Sequence, residues 1–199
     1  MKHRFIYPVI WVALFLLSGL PTFADELDFI GEAIAGGDTS DDLRKELEYI
    51  ALGGLTNQSR ENGRLTNNSP SDRARAVVYL GDLGTAEAKT TLLKILRTEV
   101  EPMVLTLAIK SLARIGLNDK EETTNTIAWV AIHFDNLNPD NLLALSSLDA
   151  IEALAKKSGG LKDPSIKDLL TRISKGRYIK AVQARAQRLL VDLRKYDTK

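Results

Sequence analysis

DRARAVVYLGDLGTAEAKTTLLKIL, residues 72–96, carries two helical patterns back to back, and this stretch decides the fold. Ala76, Leu80 and Leu83 recur at spacings of four and three, which sets them along one face of a helix. Gly84-Thr85 breaks the pattern, and Ala88, Leu92 and Leu96 then mark the apolar face of a second helix. The first triad returns as Ala108/Leu112/Ile115, Ser147/Ile151/Leu154 and Ala186/Leu190/Leu193, at successive offsets of 32, 39 and 39 residues. The small leading residue allows a neighbouring helix to approach closely. The second set returns as Ile127/Val130/Ile132 and Ile166/Leu169/Leu170/Ile173. Gly84, Gly116 with Asn118, and Gly159-Gly160 with Pro164 mark the turns, while Pro70, Pro102 and Pro139 mark starts of the first helices. A helix-turn-helix unit at this period predicts an all-α chain, an α-α superhelix of helical hairpins over residues 71–199 with the last helix as terminal cap.

N-terminal to the repeats, residues 25–54 read as one more hairpin. Leu27, Ile30 and Ile34 line a first helix that stops at Gly36-Gly37. Ser40 caps a second, lined by Leu43, Leu47, Ile50 and Ala51. Residues 55–70, rich in Asn, Ser and Gly, show neither helical nor strand periodicity and predict a flexible polar loop. Its Asn57 and Asn67 sequons matter only in a glycosylating host. At the start of the chain, Lys2 and Arg4 precede an apolar run from Phe5 to Leu17, then Ser18, Gly19, Pro21 and Ala24. That order predicts a signal peptide, residues 1–24, cleaved after Ala24, and an exported protein in the periplasm or secreted. The run is shorter than the ~20 residues of a comfortable membrane span, the argument against a retained anchor. With no cysteine, disulfides and thiolate metal sites are excluded. Aromatics are only 6% of residues while Leu and Ala recur throughout, so no sheet is expected.

The stretch from Asp72 to Leu96 resembles the HEAT-repeat family, in particular the short repeats also found in phycobilisome-lyase-like proteins. The likeness rests on an Arg three positions before a core Ala, two Leu-Gly pairs and an Ala-x3-Leu-Leu second helix. It extends over residues 70–196, with the first two units the more specific. The resemblance implies a curved stack whose second helices line a concave groove, and a protein-binding scaffold as its usual use. It also implies that Arg73 bonds neighbouring turns rather than catalysing. The pigment-handling lyase activity is not implied, because no residues of such a site are matched.

Chemistry is sparse. The mature chain holds one histidine, His133, and its i, i+2 spacing to Asp135 does not align the two on a helix face. There is no glycine-rich phosphate loop, no G-x-S-x-G elbow and no His-x3-His pair. The expectation is a protein that is not an enzyme, with no catalytic residues, metal or cofactor.

Two features point to binding. The polar face of the second helices offers Lys89, Arg97, Trp129, His133, Lys167 and Arg172 as groove candidates, with Trp129 either core or binding anchor. The other feature is charge: residues 25–155 hold 12 Lys/Arg against 22 Asp/Glu, whereas residues 156–199 hold 13 against 4. Arg177, Lys180, Arg185, Arg188, Arg194 and Lys195 form that basic C-terminal patch. The leading expectation is a scaffold that takes a protein or peptide partner in its groove. The alternative is an envelope tether whose basic end contacts lipid headgroups or wall polymer. An enzyme or enzyme accessory comes third. Head-to-tail self-association would join the acidic body of one copy to the basic end of the next. Export and few aromatics near the cations argue against nucleic acid.

Overall fold

A computed structural model describes residues 23–195, and the signal-peptide reading lies outside them apart from Phe23 and Ala24. Nine α-helices are present among the described residues: α1 Phe23–Ala35, α2 Asp41–Ala51, α3 Pro70–Leu83, α4 Ala86–Thr98, α5 Pro102–Ile115, α6 Glu122–Leu137, α7 Asn141–Ser158, α8 Pro164–Lys175 and α9 Lys180–Arg194. A 3-10 turn, Asp119–Glu121, leads into α6.

The helix ends follow local chemistry. Ser40, Ser69, Thr85 and Asp140 each accept a hydrogen bond from an N–H of the first turn, replacing partners that a helix start lacks. Pro70, Pro102 and Pro164 occupy first turns, where an N–H has no helical acceptor. Pro139 differs from expectation: α7 begins at Asn141 with Asp140 as its cap, so the proline sits just outside the helix. Gly116 ends α5 at φ 75°, a left-handed conformation that a Cβ disfavours.

Odd-numbered helices pack on odd and even on even. α1 packs on α3, α3 on α5, α5 on α7 and α7 on α9, while α2, α4, α6 and α8 pack in the same succession beside them. The odd helices from α3 onward run parallel. Arg73 at the start of α3 bonds Glu99 before α5, and the Ile179 N–H before α9 donates to Asn141 at the start of α7. At the opposite ends, Arg114 of α5 donates to the Val78 carbonyl of α3, and Lys157 of α7 lies over Gly116. The core lies between the two rows. Ala76, Leu80, Ala108, Leu112, Ser147 and Ile151 are fully buried, as their spacing predicts. Leu190 and Leu193 are only half-buried, because no further helix follows α9 among the described residues.

The expectation of no sheet needs one correction. Residues 55–70 contain a two-stranded antiparallel ladder, β1 Arg60–Glu61 and β2 Arg64–Leu65, closed through Asn62 and Gly63 at positive φ. Asn67 anchors it: its Oδ1 accepts the Ser59 N–H at 3.0 Å and its Nδ2 donates to the Asn57 carbonyl at 2.7 Å.

Arg73 ties this segment to the helices. Its Nε donates to Glu99 Oε2 at 2.7 Å, its Nη2 to Glu99 Oε1 at 3.3 Å, and its Nη1 to Asn68 Oδ1 at 2.7 Å and the Gly53 carbonyl at 3.3 Å. Arg73 is 3% exposed and the Glu99 side chain 0%, so this is a fully buried pair. Glu99 Oε1 also accepts the Val100 and Glu101 N–H groups, which fixes the turn into α5.

Candidate binding face on the even helices

The outward face of α6 presents Glu122, Asn125, Trp129, His133 and Asn136, spaced three or four apart along one stripe. Trp129 is 54% exposed and therefore is not a core residue. Its ring stacks on His133, with centroids 5.9 Å apart and planes 13° from parallel, and His133 meets Phe134 edge-on at 5.9 Å. His133 is solvent-exposed. Asp135 accepts the Tyr178 hydroxyl at 2.9 Å, and burial together with that bond raises the phenol's pKa above its ordinary value.

Beside Trp129 lies an open hollow of about 510 Å³ lined by Arg97, Glu122, Asn125, Thr126 and Trp129. Arg97 reaches into it from α4, donating to Thr126 Oγ1 at 3.1 Å with Glu122 Oε1 at 3.7 Å. On the other side Arg172 of α8 pairs with Asp168 at 2.8 Å and approaches Asn136 Oδ1 at 3.4 Å. Its hydrogen bond to Asp168 raises the guanidinium pKa further. Three consecutive even helices thus contribute a cation, an aromatic stack and a cation in that order.

Two expected groove residues, Lys89 and Lys167, are placed elsewhere. Lys89 is corrected: it is 6% exposed and bonds Asp119 at 3.1 Å and Glu122 at 3.4 Å, so it holds the turn before α6. Lys94 joins α4 to α2 through Glu48 at 2.7 Å. Burial alone would raise the Glu48 pKa, yet hydrogen bonds from Lys94 and Arg44 keep it below the usual range. Lys167 is exposed but lies in a separate cleft between α8 and α9. Glu122, Thr126 and Asn136 belong to the face and were not among the expected residues. Their spacing of −7, −3 and +7 from Trp129 is the signal that could have found them.

The basic C-terminal patch is dispersed. Arg185 bonds Asp149 and Glu152 of α7. Burial opposes its charge, but those two carboxylates raise its pKa on balance. Lys195 pairs with Asp192 at 2.6 Å. Arg177 and Lys180 flank the turn into α9, Arg188 is exposed on the outer side of α9, and Arg194 lies in the cleft with Lys167. Among the described residues no cluster of His, Asp and Glu could hold a metal ion, and no helix is long and apolar enough to cross a membrane. Comparison with family models, curated proteins and solved structures finds no match to this chain.

Proposed function

We propose that this chain is an exported, non-catalytic scaffold of the HEAT-like solenoid kind, which binds a protein or peptide across the outward face of its even helices. The two rows of successively packed helices and the buried small-residue seam support the solenoid assignment. The observation that carries the binding assignment is Trp129, more than half exposed at the middle of the even row and held flat by His133. An indole left in water gains by burial against a partner, and a ring already fixed by stacking loses little freedom when it binds. Arg97 and Arg172 on either side favour a partner carrying carboxylates next to an apolar side chain.

The test compares wild type with Trp129→Ala and with Arg185→Gln/Arg188→Gln as baits for the envelope fraction, washed at low salt and at about 0.5 M salt, where screening extends over a few Å only. A discrete protein held by wild type through the high-salt wash, lost with Trp129→Ala and kept with the double variant, is the expected result. Retention that ignores Trp129 but vanishes with salt would replace the groove with the tether.

A further inference from the structure

Each even helix packs on the odd helix that follows it, and along the even row α2 packs on α4, α4 on α6 and α6 on α8. α8 has no such even-row partner beyond it among the described residues. The place that partner would take is open. It is a cleft of about 250 Å³ between the first half of α8 and the end of α9. Buried Ile166 and Leu170 form its floor, and Leu161, Leu190 and Leu193, only partly buried, are the aliphatic side chains it leaves uncovered. Lys162, Lys167 and Arg194 ring it. None of these three pairs with a carboxylate among the described residues, whereas Lys156, Arg172, Arg185 and Lys195 nearby all do. The one acid in the lining, Asp163, is engaged in accepting the Ser165 N–H at 2.7 Å as the cap of α8.

We infer that this cleft is a second docking site, which takes an acidic amphipathic helix from a partner protein as an added member of the even row. A helix satisfies its own backbone, so it can enter a cleft that offers no free strand edge. Leucine-like side chains at i, i+3, i+4 and i+7 would cover the aliphatic floor, and carboxylates on the flanks would meet the three cations. The site is independent of Trp129, which lies on α6.

The test uses the full chain and capped synthetic peptides of about 14 residues, near the shortest length at which an isolated helix has appreciable population. One peptide has leucines at i, i+3, i+4 and i+7 with glutamates between. A second has lysines for the glutamates, and a third has alanines for the leucines. Fluorescence anisotropy is expected to show the acidic leucine peptide binding at least tenfold tighter than either control. Lys167→Glu/Arg194→Glu, two exposed positions whose change should leave the far-UV circular dichroism intact, should invert the preference toward the lysine peptide. Equal binding of the acidic and basic peptides, equal binding of the leucine and alanine peptides, or an unchanged order in the charge-reversed protein would each overturn the proposal. So would displacement of the peptide by decanoate at matched concentration, which would assign the cleft to an anionic lipid. Self-association abolished by the same two substitutions would assign it to a second copy.

Discussion

Replacing Arg73 by Met removes the cation from a pair that is sealed from water, with Arg73 3% exposed and the Glu99 side chain 0%. Glu99 would keep the Val100 and Glu101 N–H donors at 2.8 and 2.9 Å but lose both guanidinium bonds. The Gly53 carbonyl and Asn68 Oδ1 would lose a donor as well. Breaking a buried pair from one side costs about 3–5 kcal/mol, against a total stability for a domain of about 5–15 kcal/mol. For a chain of this length each kcal/mol moves the midpoint by about 2–4 °C, so the loss corresponds to roughly 6–20 °C. Glu99→Gln should cost a comparable amount, because it leaves the Arg73 charge buried. The double variant Arg73→Met/Glu99→Leu should cost less than the sum of the two, though not nothing, since the Val100 and Glu101 N–H groups then lack an acceptor at about 1–3 kcal/mol each. Urea unfolding followed by circular dichroism gives all three values. A loss below 1 kcal/mol for either single substitution, or strict additivity in the double, would refute the claim that the two side chains act as one buried unit.

Trp129→Ala should lower the unfolding midpoint by only a few degrees, since the ring is 54% exposed and its His133 stack is worth about 0.5–1.5 kcal/mol, while partner capture falls away; thermal melts and the affinity capture above read the two effects separately. Gly81→Ala would place a Cβ 2.5 Å from Ser111 Cβ on α5, an overpacked contact expected to cost about 1–3 kcal/mol in urea unfolding. The Glu26 carboxyl is pushed up to about 7 by burial and then by the Glu46 charge and hydrogen bond, so the folded state binds a proton that the unfolded chain, with its ordinary value of 4.5, does not. That contribution is present in full below pH 4.5 and is lost as pH rises through about 7; the melting temperature should therefore fall from pH 5 to pH 8, and Glu26→Gln should flatten the fall.

Helix positions and the core were legible because burial imposes a period, and Ala76, Leu80, Ala108 and Leu112 announce theirs at four-residue spacing. Capping was legible for a similar reason, since Ser40 and the prolines of α3 and α5 act through local geometry alone. The β-ladder at residues 60–65 was not, because strands of two residues have no alternation to detect; what orders the surrounding segment is Asn67 and the distant Arg73. For the binding face, Trp129 could be placed on a helix but not on a side of it. The stripe from Glu122 to Asn136 faces outward only because α4 and α8 flank α6, and that is a tertiary fact. Lys89 failed for the same reason: its partners Asp119 and Glu122 lie about thirty residues on, beyond any helical spacing.

Charge shows most clearly how tertiary structure revises a count. The +9 excess of residues 156–199 suggests a continuous basic end able to rest on an anionic surface. Folding divides it. Arg185 serves the contact between α9 and α7, Arg172 and Lys156 face carboxylates on their own helices, and Lys195, just past α9, faces Asp192 on it. A paired cation retains charge but presents a dipole at a distance, and exposed charges separated by more than about 8 Å are largely screened at physiological salt. What a partner meets is therefore two local sites of different character. On α6 an aromatic stack lies between two engaged guanidinium groups, which favours tight contact over long-range attraction. Between α8 and α9 three cations with no carboxylate partner among the described residues ring an aliphatic cleft, which favours an acidic partner and should show the stronger salt dependence of the two.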